Sequence, residues 1–406
     1  MKLVPIPSDK FGDYRIDAIF DCYKWDPQFL DSNTLARYVL VITEDECQEI
    51  AKLTEALDLE TREAENFLNN HLKLAKPLRL PKKIYNELKM MNNYDENRHI
   101  RLMRYDFHPT IEDTWAVSEV NSDVPGGFAE ASLLPKLAIK TLNNKNYYSI
   151  NFGDILAHTL ARKIKEKGTI MFVHCTSYSD DRQVMQYIGD KMESLGFKSL
   201  YGAVDHLKFE NKEAISVLDG YEGKIDCIFR FTPLEWLKDI KPKTWGGYFN
   251  TITPSCNHPI AIFAQTKRFP LIWENLEKNG IKLDAWKRLL PDTIEVKKAK
   301  DKKDYIYKPA CGRVGEKIAI KEACSNDEYK EILKDVKKHP NNYLAQKKFI
   351  SRPLKGIDNE EFHVCLGSYT VDGKHAGFYA RISEKNRIDS DAKDIPVVIE
   401  RSKKND

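Results

Sequence analysis

Between residues 99 and 121, two bulky segments flank a short polar turn, and their charged residues sit at alternate positions. The first reads His99-Ile-Arg-Leu-Met-Arg-Tyr-Asp-Phe, the turn runs from Pro109 to Asp113, and the second reads Thr114-Trp-Ala-Val-Ser-Glu-Val-Asn. Such a pattern predicts a β-hairpin. Residues i and i+2 of a strand point to one face, so Arg104 aligns with Asp106, and Glu119 with Asn121 and Asp123. If the strands pair, one face gathers a guanidinium, an amide and several carboxylates. Oxygen ligands of that kind suit Mg²⁺, and an arginine beside them suits a phosphate. The same side chains would also make an ordinary salt-bridged surface, so other parts of the chain have to decide.

Three later segments bear on that choice. Tyr307-Lys308-Pro-Ala-Cys-Gly312-Arg313-Val-Gly315 leads into Lys317-Ile-Ala-Ile-Lys, which reads as a strand. A lysine ending a strand reaches a nucleotide phosphate, and glycines such as Gly312 let backbone N–H groups approach phosphate oxygens. Arg313 adds a cation able to follow a transferring phosphoryl group. This is not a Walker A loop, which needs GxxxxGK[ST] ahead of a helix. Arg381 ends a strand-like run from Ala376, and Lys267 lies early in a predicted helix over about 261–276. Each alone reads as a surface cation; their combination gives them weight.

The rest of the chain supplies a frame. Its 406 residues suggest two or three domains, and 42% hydrophobic content is enough for a real core. A formal net charge of +3 gives no reason to expect nucleic acid or an acidic membrane as partner. The N-terminus shows no apolar signal region, and no apolar run approaches the roughly 18 residues of a membrane span, so a soluble, cytoplasmic protein is expected. The eight cysteines show no CxxC spacing, which leaves zinc or a redox pair unsupported. Residues 33–72 read as helical, with Thr43 as the N-cap. Residues 151–255 alternate strand, helix and strand: Gly168–His174, then Arg182–Leu195 closed by Gly196, then Phe197–Tyr201. That cadence predicts a small Rossmann-like domain. Residues 256–406 read as α+β, with strands at 305–308, 342–346, 362–366 and 377–381.

Taken in order, these motifs resemble the synthetase domain of the glutathionylspermidine synthases, an ATP-grasp family. Arg104-x-Asp106, Glu119-x-Asn121-x-Asp123 and Glu130 in Gly-Phe-Ala-Glu-Ala are similar to its N-terminal signature. Phe231-Thr-Pro-Leu-Glu-Trp, Asn257-His-Pro and Thr266-Lys267 are similar to its middle segments. Lys308-Pro-x-x-Gly-Arg-x-Gly, Gln346, and Val371-Asp-Gly with Arg381 are similar to its C-terminal signature. The resemblance implies an α+β/α/β architecture: an ATP-grasp fold with a small Rossmann-like pre-ATP-grasp domain. Residues 1–150 would carry the metal and phosphate hairpin, 151–255 the Rossmann-like substrate domain, and 256–406 the nucleotide-binding part.

The resemblance also implies roles. Asp106, Glu119 and Asn121 match Mg²⁺ ligands. Arg104, Arg313 and Arg381 match cations around the phosphates. Lys267, Lys308, Gly312 and Gln346 match the ATP site, with Gln346 near the adenine. Asp123 and Glu130 fall on the substrate side. The implied cofactors are ATP and Mg²⁺, and the implied partners are a small-molecule acid and an amine. The expected reaction is an ATP-dependent carboxylate–amine ligation through an acyl-phosphate; a phosphotransferase or an inactive nucleotide-binding regulator are the alternatives. Because an acyl-phosphate hydrolyses readily, a closing segment is expected at Lys308–Glu316 or Ser383–Lys393. The chain departs from the family after Asp123, where Val124-Pro-Gly-Gly replaces small polar residues that help bind glutathione.

Overall fold

The computed structural model describes residues 1–402 apart from 165–166, 300–303, 313–314 and 316. Its central sheet is antiparallel and six-stranded, with Trp115–Asn121 at one edge, then Leu102–Pro109, Glu361–Val371, Lys374–Ser383 and Lys393–Ile395, plus a short strand Leu354–Lys355 against Glu361–Val371. The expected hairpin therefore forms, although its first strand starts at Leu102. Ile100 instead bridges to Cys256 in a second sheet. The turn from Val371 to Lys374 is built by Asp372 and Gly373, at φ of 48° and 84°. Asp-Gly with both residues left-handed is the turn that matches strand twist.

The second sheet is parallel, in the order Ser255–Cys256, Cys227–Arg230, Thr169–Val173, Lys198–Gly202. Its two central strands, Thr169–Val173 and Cys227–Arg230, are largely buried and mostly apolar, as suits a covered parallel sheet, and helix Ser179–Ser194 supplies the crossover to the edge strand Lys198–Gly202. A third sheet, Thr293–Glu295, Tyr343–Lys347 and Tyr305–Pro309, is antiparallel and backed by helix Asn326–Lys338 through Tyr307, Ile332, Val336 and Ala345.

Three sequence expectations need correction. Residues 33–43 are not helical: Tyr38–Thr43 is a strand between Lys2–Pro5 and Val397–Glu400. Its run Tyr-Val-Leu-Val-Ile is rich in β-branched residues and buried throughout, which suits a covered strand. The helix starts at Glu44, where Thr43 Oγ1 accepts from Glu46 N–H and Glu46 accepts from Thr43 N–H, closing a capping box. Residues 261–276 are not one helix. Thr266 is extended, because Pro270 lacks the N–H that a helix would aim at the Thr266 carbonyl. Residues 317–321 form no strand. Lys317 is left-handed at φ 53°, only Ala319 bridges to Tyr307, and the Ile320 carbonyl turns back to accept from Ala323 and Cys324.

No described helix is long and apolar enough to cross a membrane.

Between the parallel sheet and the central hairpin, His99, His258 and Tyr94 pack ring to ring, the two imidazoles 4.4 Å apart. Burial pushes His99 down to about 3 and His258 well below its ordinary value. Both are neutral when folded, whereas the unfolded chain takes up their protons near pH 6.5. Stability present above that pH is therefore lost as pH falls toward 3, by about 1.4 kcal/mol per pH unit for each histidine. Urea midpoints at pH 7 and pH 5 should show this slope, and His99→Asn should flatten it by about one such increment.

Candidate active site

The central-sheet register sets the site. Arg104 pairs with Asn121 and Asp106 with Glu119, so all four side chains share one face. A β-bulge follows Asp106, with Ser118 the extra residue on the edge strand. The same face continues inward: Asp106 opposes Gly367, Gly367 opposes Tyr379, Cys365 opposes Arg381, and Arg381 opposes Asp394. Gly367 makes room, since a Cβ there would lie 2.6 Å from Arg104 Cδ.

Arg104 donates from Nε and Nη2 to the two oxygens of Asp106 at 2.8 and 3.1 Å, and from Nη1 to the Gly126 carbonyl at 2.9 Å. Its guanidinium sits 4.9 Å from the Tyr379 ring centre. Asn121 Nδ2 donates to Asp106 Oδ2 at 3.0 Å. Asp106, Glu119 and Asn121 are thus adjacent, two carboxylates and an amide. That hard-oxygen set fits Mg²⁺, which takes few protein ligands and keeps positions for water and phosphate oxygens. Among the described residues, no group of three or more His, Cys, Asp or Glu is placed to hold a metal ion, and the set here has two carboxylates and an amide.

Both lysines converge on this face. Lys267, turned in by the break at Thr266, lies 2.8 Å from Glu119 Oε2 and donates to the Gly312 carbonyl at 2.8 Å. Lys308, next to last in its strand, donates to the Ser118 carbonyl at 3.2 Å. Burial draws Lys308 down to about 8, against the pull of Glu119. For Glu119, burial acts upward, but Lys267 and Lys308 win and hold it at about 2. Two cations sharing one carboxylate leave an excess of positive charge, which suits a polyphosphate.

From the lysines a narrow cleft, about 30 Å³ in volume, runs between the third sheet and the 265–290 segment. Phe269, Trp286, Leu290 and Leu344 make its walls apolar, and Gln346 and Thr293 lie at its far part. Gln346 Nε2 donates to Thr293 Oγ1 at 3.0 Å, while Gln346 Oε1 is buried without a partner. An unpaired acceptor in an apolar slot is what the exocyclic amine of adenine would satisfy.

At the opposite end, Arg381 donates to the carbonyls of Asp389 and Ala392 at 2.7 and 2.8 Å. Beside it, Lys24 lies within 2.6 to 3.2 Å of Asp394, Asp26 and Glu130, and Gln183 donates to the same Glu130 oxygen at 2.9 Å. Glu130 Oε2 is buried without a partner. Burial raises Asp26 to about 6. Lys24, Asp26, Gln183 and Asp394 were not legible as site residues; their local sequence, Cys-Tyr-Lys-Trp-Asp for the first two, carries no motif.

Asp123 stands apart. It is 1% exposed, forms an ion pair with Arg230, accepts from Leu234 N–H at 2.8 Å, and donates its own N–H to Gln265 Oε1. It faces a buried knot rather than the cleft. Arg313 lies outside the described residues. Gly315 is described: at φ 68° it packs so closely on the 383–393 loop that a Cβ would lie 2.2 Å from the Ile388 carbonyl. The two segments expected to close over the site thus meet each other.

A three-stranded sheet with a backing helix, facing a large antiparallel sheet across a narrow apolar-walled cleft, together with a small parallel sheet, defines an ATP-grasp fold of the synthetase type. The family model for the glutathionylspermidine synthase preATP-grasp region matches residues 23–400, and the chain belongs to that family. Among solved structures, a glutathione synthetase-like effector from Globodera pallida in its apo form shares the fold with a TM-score of 0.67 at 14% identity, over 97% of this chain and 99% of that one. A putative gamma-glutamylcysteine synthetase from Methylobacillus flagellatus also aligns, with a TM-score of 0.41 at 11% identity, over 85% and 86% of the two chains. Comparison of the sequence with curated proteins finds no match.

The geometry separates two kinds of residue by experiment. Asp123→Ala leaves Arg230 buried without its counter-charge and should lower unfolding stability by about 3–5 kcal/mol. Asn121→Ala, at the edge of the cleft, should change it by under about 1 kcal/mol. Urea denaturation of both variants measures the difference.

Proposed function

We propose that the protein is an ATP- and Mg²⁺-dependent ligase that joins a carboxylate, from a peptide or amino acid, to an amine, from a polyamine or amino acid. The observation that carries this reading is the single row of Arg104, Asp106, Glu119 and Asn121, closed at one end by Lys267, Lys308 and the unpaired Gln346 acceptor and at the other by Arg381. Membership of the glutathionylspermidine synthase family supports it.

In this reading Gln346 and the apolar walls seat the base, and the two lysines bind the phosphates. Mg²⁺, held by Asp106, Glu119 and Asn121, would neutralise charge on the phosphate oxygens. The substrate carboxylate attacks the terminal phosphorus of ATP, ADP leaves, and an acyl-phosphate forms. The amine then attacks the acyl carbon, phosphate departs, and the ammonium proton is lost to solvent or base. The chain contributes position and field more than covalent chemistry. Arg104 and Arg381 flank the place where charge spreads over the phosphoryl oxygens. Glu130, with one free oxygen, offers an anchor for the amine as its ammonium. The Gly126–Gly127 turn offers no polar side chains there, and the Gly126 carbonyl is already held by Arg104 and Tyr369. This supports an acid other than glutathione, or one held differently.

ADP release from Mg-ATP across a matrix of acids (glutathione, glutamate, short peptides) and amines (spermidine, putrescine, amino acids) tests the proposal. Release should require one acid and one amine together and vanish in an Asn121→Ala, Arg381→Ala double variant. Release with a single acceptor would make the protein a phosphotransferase instead. Lys308→Met should lower kcat/KM by roughly a hundredfold, as removal of a transition-state donor does.

A further inference from the structure

Directly after Lys267 the chain places a second basic residue, Arg268, into a different cavity. Arg268 is 2% exposed. Its Nε donates to the Pro77 carbonyl at 2.8 Å and its Nη1 to the Asn341 carbonyl at 3.1 Å. Its Nη2 reaches Glu295 Oε1 at 3.3 Å, and Arg79 Nη2 reaches that same oxygen, also at 3.3 Å. In front of these groups lies a cavity of about 150 Å³ lined by Arg79, Arg268, Lys297, Glu295 and Asn341. Three cations face one carboxylate there.

A purely structural latch would be built differently. A buried arginine is normally matched by a carboxylate at about 2.7–2.9 Å, often through two parallel bonds. Here two guanidiniums share a single oxygen at longer distances, and burial together with the neighbouring Arg79 disfavours the charged form of Arg268. The uncompensated positive charge faces an open, polar space with room for several waters or one tetrahedral anion. Arg79 lines it from a left-handed backbone position at φ 53°.

We propose that this cavity is a second binding site, distinct from the nucleotide cleft, for a small dianionic oxyanion: inorganic phosphate or the phosphate group of a monoester. Its occupant ties Arg79, from the segment after helix 44–70, to Arg268 and Lys297. It thereby braces the turn that sets Lys267, whose N–H bonds the Ala310 carbonyl while Ala310 N–H bonds Asn342, next to the Arg268 acceptor Asn341. The site therefore links a ligand outside the cleft to the position of a phosphate-binding lysine inside it.

Calorimetric titration of the full chain with inorganic phosphate and, separately, glycerol 3-phosphate tests this, with three variants. Arg79→Gln alters a half-exposed residue outside the cleft and should weaken binding roughly tenfold, the loss of one charge-assisted contact. Glu295→Gln removes the competing carboxylate and should tighten binding, by roughly threefold or more. Lys308→Met should leave this binding unchanged. Tighter binding of glycerol 3-phosphate would identify a phosphate monoester as the ligand, and equal or weaker binding the free ion. Loss of binding in Lys308→Met with retention in Arg79→Gln would place the anion in the cleft and overturn the proposal. So would weaker binding in Glu295→Gln, as expected of a structural latch, or no saturable binding below about 10 mM.

Discussion

The site depends on one buried amide. Asn257 Oδ1 accepts from Leu102 N–H at 2.7 Å, and its Nδ2 donates to the carbonyls of Leu102, Ser122 and Asp123 at 2.7, 3.2 and 2.9 Å. One side chain thus ties the start of the inner hairpin strand to the end of the outer one. It follows directly on the edge strand Ser255–Cys256 of the parallel sheet, so it also fixes that sheet to the central one. Arg230, at the end of the next parallel strand, completes the knot by pairing with Asp123 and donating to the Asn257 carbonyl at 3.1 Å. Buried polar groups of this kind are costly unless every bond is made, and here partners come from both sheets. The hairpin that carries Asp106, Glu119 and Asn121 cannot shift its register without breaking them.

The electrostatics of the cleft follow from that rigidity. Lys267 and Lys308 are brought to the edge strand by a different part of the chain, and neither has a carboxylate to itself. Glu119 answers both, and is held ionised at about 2 by doing so. The arrangement keeps cations dehydrated and incompletely paired, a state that only an incoming anion relieves. Arg104 shows the opposite design. It is paired in two-pronged fashion to Asp106 and stacked on Tyr379, so its planar head is fixed before any ligand arrives.

The hairpin was legible because strand alternation is local: the i, i+2 spacing of Arg104 with Asp106 and of Glu119 with Asn121 holds whatever the strands later pack against. The strand–helix–strand run from 169 to 202 was legible for the same reason, with Gly196 closing the helix at φ 89°. What the sequence hid depends on tertiary context. The Tyr38–Thr43 strand was merged into the helix after it, since a short apolar run fits either element until its neighbours are known. Lys267 was placed on a helix because Pro270, four residues past Thr266, was read as part of an amphipathic pattern when it breaks one. Asp123 continued the acidic alternation and so was placed on the substrate side of the site; Arg230, more than a hundred residues away, pairs with it in a sealed knot. Lys24 and Asp394 meet from opposite ends of the chain, and no window contains both.

That last separation has a consequence for how the protein is made. The central sheet takes its hairpin from residues 102–121 and its remaining strands from residues 354–395, while Val397–Glu400 inserts beside Tyr38–Thr43. During synthesis the early hairpin has no partner for Leu102–Pro109 on its inner side until Glu361–Val371 has emerged. Its row of charges must wait in solution, and the parallel sheet between them in sequence can form first. Long-range pairing of this kind is slow and leaves strand edges open meanwhile. A chain cut before residue 361 would therefore not be a weaker version of this protein. It would be one in which the two halves of the site never meet.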